Sequence, residues 1–357
     1  MYHILPKLIL YLMVLLVLFS CVEDRKSSSY EAIDNDFSAE TFSFKNDTIA
    51  ARFAIANVDK NLPDSLDSDL IKYGFKVLSS TSKYVGPEAK DTSKRYAGNN
   101  LDCVSCHLLG GAKAYGGSWI GVMDRYPTFR SKNGKVNDIY MRIDGCFHRS
   151  MNGISLPKDS KEMKGIVEYF KWLSSDTLIN KMPQYKGYLK ISPPDREADT
   201  IHGKYLYNNY CFVCHGTDGK GVLSNKYNVS QGYIYPQLWG EDTYNIGAGM
   251  AKLETFAGFI KANMPYGVEF NKPQLTDEEA YDIAGYVNMQ KRPVPPGLDK
   301  DFPDKTKKGA DVPYGPYIDS FPPIQHRIGP FQPIKDYYKS LKNNIDSTKT
   351  ESKPSDH

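Results

Sequence analysis

The sequence has 357 residues, a length suited to two domains of about 100–150 residues with linkers and tails. Its 45 basic and 42 acidic residues leave a formal net charge of +3. This charge is too small to indicate nucleic acid or a broad anionic membrane surface as the partner. Hydrophobic residues make up 40% of the chain, beside 26 tyrosines and 22 prolines, which indicates a globular protein with long ordered loops.

The N-terminus has the pattern of an export signal. Its apolar run at residues 8–19 is shorter than the roughly 20 residues that span a membrane. The four residues that end in Cys21 (LFSC) resemble a bacterial lipoprotein cleavage box. We therefore expect a signal peptide at 1–21, a lipid on Cys21, a polar tether at 22–62 and a place on the periplasmic side of a membrane. An ordinary cleaved signal followed by a stray thiol is the alternative.

Cysteine spacing is the strongest signal in the sequence. Six cysteines in an exported protein first suggest disulfides. Four of them, however, belong to two C-x-x-C-H motifs, the attachment pattern of c-type haem. The motif residues are Cys103, Cys106 and His107 in the first, and Cys211, Cys214 and His215 in the second. We expect two covalently bound haem c groups, each held by two thioethers and one proximal histidine.

The pattern around the two motifs predicts an all-α fold of two tandem cytochrome c domains. Apolar residues at helical spacing occur at 64–84 and 161–174, on either side of the first motif. The pattern restarts at Asp199, and a capped helix follows Leu275 after the second motif. The predicted parts are domain 1 at 63–181, an extended linker at 182–198, domain 2 at 199–296, and an extended tail at 297–357 that wraps over the domains. Residues from 342 onward are expected to be disordered.

The sixth ligand of each iron sets its potential and decides whether the site can open. For the second haem, Met264 stands in a Met-Pro sequence before the last helix, the usual place for a cytochrome c methionine ligand. Met250 and Lys261 are the alternatives. For the first haem, spacing alone does not choose among the candidate ligands. A buried inert thiol is the simplest interpretation of Cys146. The candidates are Cys146, His148, Met151, Met123, Met141 and Met163.

A family resemblance bears on this choice. The sequence DGCFHRSMNG at 144–153 resembles the signature of the thiosulfate dehydrogenase family of dihaem cytochromes. In that family the cysteine of this motif is the distal ligand of the catalytic haem, which implies the same role for Cys146. Similar stretches are WIGV at 119–122, YPTFR at 126–130, YFKWLS at 169–174, NMPYG at 263–267, VPYGPY at 312–317 and HRIGPF at 326–331. The resemblance thus covers about 64–333.

One position departs from the family pattern. Some members carry lysine as an exchangeable ligand where this chain has Asn263. This departure argues against ligand exchange at position 263 and favours fixed ligation of the second iron by His215 and Met264.

The segment between Met123 and Met151 is locally basic. If the part around Cys146 is helical, Arg142 at i−4 and Arg149 at i+3 share the face of the thiolate. The planar fork of arginine matches oxyanions and keeps its charge, whereas the alternative is a set of solvated surface residues. The segment has six basic residues (Arg125, Arg130, Lys132, Lys135, Arg142, Arg149) against three aspartates. Arg142 and Arg149 are the expected catalytic partners of Cys146, and Arg125, Arg130 and Lys132 are further candidates for substrate binding.

The resemblance implies that two thiosulfate ions are joined into tetrathionate at the first haem. Thiolate ligation would keep the potential of that haem low, so Cys146 would have to leave the iron during turnover. Electrons would pass through the second haem to a redox partner, such as a small cytochrome or an oxidase. The alternatives are a tetrathionate reductase, a non-catalytic dihaem electron-transfer cytochrome and a dihaem peroxidase.

Overall fold

Two pairs of crossing helices organise the computed structural model, which describes residues 52–60, 62–63, 65–223 and 232–351. All of these residues belong to one compact unit. The expected signal peptide, the lipid site at Cys21 and most of the tether lie outside these ranges. Within the described ranges, no helix combines the length and the apolar character needed to cross a membrane.

The described part of the first domain contains four α-helices. They are α1 (Ser68–Ser79), α2 (Thr81–Val85), α3 (Ile139–Arg149) and α4 (Lys161–Leu173). Side chains that precede α1, α3 and α4 satisfy free backbone N–H groups, as N-caps do. The Asp138 carboxylate accepts from the Met141 amide at 2.8 Å, and the Ser160 hydroxyl accepts from the Met163 amide at 3.1 Å. Both caps fix where α3 and α4 begin.

Helices α1 and α4 cross in close contact at two glycines. A Cβ atom on Gly74 would lie 2.0 Å from the Gly165 carbonyl oxygen. Only a residue without a side chain allows this approach. The predicted helix at 161–174 is confirmed, whereas the one predicted at 64–84 occurs as two helices, α1 and α2, that are separated at Ser80.

The second domain repeats this arrangement. Its helices are α5 (Thr200–Tyr210), α6 (Phe212–His215), α7 (Leu253–Asn263) and α8 (Asp277–Met289). A Cβ atom on Gly203 of α5 would lie 2.0 Å from the Asp282 carbonyl oxygen of α8. Thr276 and Glu279 form the capping box that the sequence predicts at the start of α8. Buried side chains of both domains join in one continuous core.

The β-strands of the described ranges form two small antiparallel pairs. Strand β1 (Thr128–Arg130) pairs with β2 (Lys135–Asn137), and β3 (Val222–Leu223) pairs with β4 (Tyr233–Tyr235). Short 3-10 helices occur at Ile55–Lys60, Thr92–Lys94, Cys103–Ser105, Leu109–Gly111, Met123–Arg125, Ile179–Lys181, Pro183–Tyr185, Gly249–Ala251, Leu298–Lys300 and Lys305–Lys307. The helix-dominated architecture of two cytochrome c domains agrees with the predicted fold class.

The tail differs from the sequence prediction at its end. It contains α9 (Gln325–Ile328) and a long helix, α10 (Gln332–Glu351), where extended and then disordered chain was expected. Pro333 is compatible with the first turn of a helix, where its missing N–H costs nothing. Ile334 is fully buried, and Lys335 forms an ion pair with Glu254 of α7. Tertiary contact with domain 2 therefore stabilises the start of a helix whose own sequence is polar.

Candidate functional site

A cavity of about 440 Å³ lies beside the first C-x-x-C-H motif. Cys103, Cys106 and His107 contribute to its wall, and so does Cys146 of α3. Two elements of domain 2 also reach it through Tyr244 and Met250. The cavity is therefore assembled from both domains, although the C-x-x-C-H motif and Cys146 come from the first.

His107 is oriented for metal ligation. Its Nδ1 atom donates a hydrogen bond to the Gly117 carbonyl, and its ring stacks on Trp119 with centroids 4.5 Å apart. Because Nδ1 carries the proton, Nε2 has a free lone pair for iron. Burial lowers the pKa of His107 to about 4, so the imidazole is neutral at ordinary pH.

His215 has the same orientation in the second motif. Its Nδ1 atom donates to the Pro236 carbonyl at 2.9 Å, and burial lowers the pKa of the imidazole. The neighbouring thiols Cys211 and Cys214 form no disulfide. Each motif thus presents two thiols and one neutral histidine with Nε2 available, the donor set that fits a c-type haem.

Cys146 lies on α3, one helical turn after Arg142. The negative charge of the Cys146 thiolate raises the pKa of Arg142, and this is the largest influence on that guanidinium. Tyr126 and Tyr188 act on it in the same direction. Arg142 also lines the cavity, so a fixed positive charge stands beside the thiol and close to the first motif.

The structure separates the six candidate ligands of the first iron. Cys146 and Met151 line the cavity, whereas His148, Met123, Met141 and Met163 do not. His148 is exposed, and its Nε2 atom is 2.9 Å from the Ser155 hydroxyl. Met163 is 1% exposed within the α4 core, and Met141 is 38% exposed at the surface. Of the six predicted candidates, Cys146 and Met151 therefore remain for this position.

Four cations line the cavity: Arg125, Arg130, Arg142 and Lys186. Lys186, in the predicted linker, was missed by the sequence analysis because it lies far along the chain from the basic segment. Among the described residues of the wall, Asp102 is the one acidic side chain, and burial raises its pKa to about 7. The lining is therefore positive, which suits a small anion.

The predicted catalytic residue Arg149 and the predicted substrate residue Lys132 lie outside the cavity wall. Arg149 forms two hydrogen bonds with the Asp301 carboxylate, at 2.6 and 2.7 Å. The Lys132 ammonium donates to the Gly247 carbonyl at 2.6 Å and lies 6.0 Å from the ring centroids of Phe302 and Tyr314. Neither Arg149 nor Lys132 lines the cavity, because tail residues distant in sequence engage both.

The candidates for the second iron are also distinguished. Met264 directly follows α7 as its C-cap residue and is partly buried against the core. Of the two alternatives, Met250 lines the first cavity, and Lys261 forms an ion pair with Asp277 at 2.5 Å. Of the three candidates, Met264 is thus the one that neither lines the first cavity nor belongs to the ion pair of Lys261.

Two family models match the chain. The model described as SoxA/TsdA, cytochrome c domain, matches residues 89–179, and the cytochrome c model matches residues 201–291. Both matches lie inside the predicted domains and include the two motifs.

Known proteins are similar over most of the chain. The thiosulfate dehydrogenase of Psychrobacter arcticus is 36% identical over 259 residues, covering 72% of this chain and 74% of the relative. The thiosulfate dehydrogenase of Stutzerimonas stutzeri is 35% identical, and the match covers 70% of this chain and 76% of that relative. The solved "as isolated" thiosulfate dehydrogenase (TsdBA) from Marichromatium purpuratum matches with a TM-score of 0.57 and 31% identity over 66% of this chain. The chain spans 50% of that structure's length.

Fold and site together define a protein of two cytochrome c domains with a positively lined cavity at the first haem motif. The family resemblance inferred from the sequence is confirmed. The chain belongs to the thiosulfate dehydrogenase family.

Proposed function

We propose that this protein is a dihaem cytochrome c that oxidises two thiosulfate ions to one tetrathionate at the first haem. The observation that carries the proposal is the shared cavity of the first haem motif, Cys146 and Arg142. Membership of the family supports the same activity. A non-catalytic electron-transfer cytochrome has no need of a positively lined cavity beside a thiol.

The donor sets of the two motifs support covalent attachment of both haems. Cys103 and Cys106 would hold the first haem, and Cys211 and Cys214 the second. His107 and His215 would be the proximal ligands, since each keeps Nε2 free by donating from Nδ1. Cys146 and Met264 would complete the two coordination spheres.

The positively charged side chains of the cavity wall would bind the substrate. Arg142, Arg125, Arg130 and Lys186 attract and orient two dianions whose mutual repulsion otherwise opposes their approach. Joining two thiosulfates forms one S–S bond and releases two electrons. When bound, each haem iron accepts one electron at a time, so two haems match this stoichiometry. The second domain would then pass the electrons to an external acceptor, such as a small cytochrome or an oxidase.

The first twenty-one residues support a place in the cell envelope. We propose that residues 1–21 direct export and that a lipid on Cys21 anchors the protein on the periplasmic side of a membrane. The supporting pattern is the short apolar run followed by the lipoprotein-type sequence before Cys21.

Thiosulfate added to the purified, oxidised protein tests the proposal. The haem absorbance should change to that of the reduced protein, and tetrathionate should appear in a 1:2 ratio to the thiosulfate consumed. A pyridine haemochrome assay on the same sample should give about two haems per chain. No reduction by thiosulfate, together with no oxidation of the reduced protein by tetrathionate, would refute the assigned chemistry in both directions.

A further inference from the structure

The end of the Cys146 helix is held by segments distant in sequence. Asn245, in the loop before α7, donates from Nδ2 to the His148 carbonyl at 2.9 Å and from its backbone amide to the Arg149 carbonyl at 3.1 Å. Asn99 donates from Nδ2 to the Ser150 carbonyl at 2.9 Å. Carbonyls at a helix C-terminus have no partner within the helix. Here domain 2 and a preceding loop provide those partners.

The tail adds an ion pair at the same place. Asp301 receives two hydrogen bonds from Arg149, three residues after Cys146, and a third from the Tyr314 hydroxyl at 2.5 Å. The side chain of Asp301 is 8% exposed and that of Arg149 is 24% exposed. A bidentate pair with this burial constrains geometry more strongly than an exposed surface pair.

Close packing makes the arrangement specific. A Cβ atom on Gly247 would lie 2.4 Å from a terminal nitrogen of Arg149, so the guanidinium lies directly over this backbone. The Asn245 Oδ1 atom accepts from the Gly247 amide at 2.9 Å, which fixes the asparagine amide group while Nδ2 reaches α3. Contacts with the loop and the tail thus hold the end of α3 in one position.

We propose that Asp301 and Asn245 are positioning residues for Cys146. By fixing the last turn of α3, they set the balance between a thiolate bound to the first iron and a thiolate released from it. This inference rests on the proposed function, in which Cys146 is the distal ligand. Removing these contacts should raise the fraction of Cys146 that is released from the iron. The ligated state requires α3 in one position, whereas the released state does not.

The test is the thiolate low-spin signal of the first haem in the intact dihaem protein carrying Asp301→Asn. We expect the ratio of released to ligated Cys146 to rise about fivefold or more, and the potential of the first haem to rise with it. Arg149→Lys keeps the charge but cannot form the two parallel hydrogen bonds. It should change the signal in the same direction and guards against a folding defect in the first variant.

Asp282→Asn is the matched control. Asp282 also makes a bidentate pair, with Arg196 at 2.7 and 3.0 Å, and is fully buried, but it lies on α8 away from Cys146. If Asp301 only stabilises the fold, both aspartate variants will lower the melting temperature and leave the thiolate signal unchanged. That result overturns the inference. A wild-type protein that lacks the thiolate signal would instead refute the proposed ligation by Cys146.

Discussion

Arg142 lies one helical turn before Cys146, and the thiolate charge of Cys146 raises the pKa of Arg142. The two residues share the wall of the first haem cavity. A permanently charged guanidinium beside this sulfur offers charge-assisted hydrogen-bond donors to an incoming dianion.

Arg142→Gln should lower kcat/KM for thiosulfate by about 10- to 100-fold, because it removes a charge-assisted hydrogen bond and the local positive charge. Steady-state kinetics with an artificial electron acceptor measures the effect. Lys132→Met is the control, since Lys132 belongs to the same basic segment but does not line the cavity. Equal losses in the two variants would show that the overall charge of the segment matters and the cavity position does not.

Lys132 should make stability depend on pH. Burial lowers its pKa from 10.5 to about 7 in the folded protein. The unfolded chain therefore binds more protons between these values, so this residue's contribution to stability rises with pH from about 7 to 10.5. Below pH 7 the folded protein carries the full cost of a desolvated ammonium. In Lys132→Met this rise should be absent when melting temperatures are measured across the range. A parallel pH profile for the two proteins would contradict the lowered pKa.

Met264→Ala should leave both haems attached but lower the potential of the second, because methionine ligation raises the potential of a haem iron. Electron delivery to an external acceptor should slow accordingly. A spectroscopic redox titration resolves the two haems. Met250→Leu is the comparison variant and should leave the potential of the second haem unchanged. If only the Met250 variant changes the potential of the second haem, Met250 is the ligand instead.

Cys21→Ala should release the exported protein from the membrane fraction, because a lipid on this residue is the proposed anchor. Immunoblots of membrane and soluble fractions give the measurement. A variant at Cys146 provides the control, since that thiol belongs to the cavity. Retention of the Cys21 variant in the membrane after signal cleavage would argue for another mode of attachment.

Local patterns predicted much of this molecule. The spacing of the cysteines gave both haem motifs, apolar periodicity gave the crossing helices, and the i−4 relation placed Arg142 beside Cys146. These features depend on neighbours within one turn or one motif. The helical pattern also placed Arg149 correctly on α3. It could not show that the Arg149 side chain turns away from the cavity, because Asp301 is distant in sequence.

Long-range contacts were beyond the sequence analysis. Asp301 is separated from Arg149 by 152 residues, and no periodicity links them. Lys186, Tyr244 and Met250 reach the cavity through folding of the linker and of domain 2. Helix α10 was missed because its sequence is polar, and its first turn is held by contacts with α7. Such features come from tertiary packing and carry no local pattern.

The most direct test of the account is replacement of the thiol itself. Cys146→Ala should retain about two haems per chain while losing both the thiolate low-spin signal of the first haem and reduction by thiosulfate. Cys146→Met should also lack the thiolate signal and should show a higher first-haem potential. Spectra and thiosulfate turnover are measured on the same purified samples. Near wild-type turnover in Cys146→Ala would contradict the central role of this residue, and an unchanged thiolate spectrum would exclude it as the ligand.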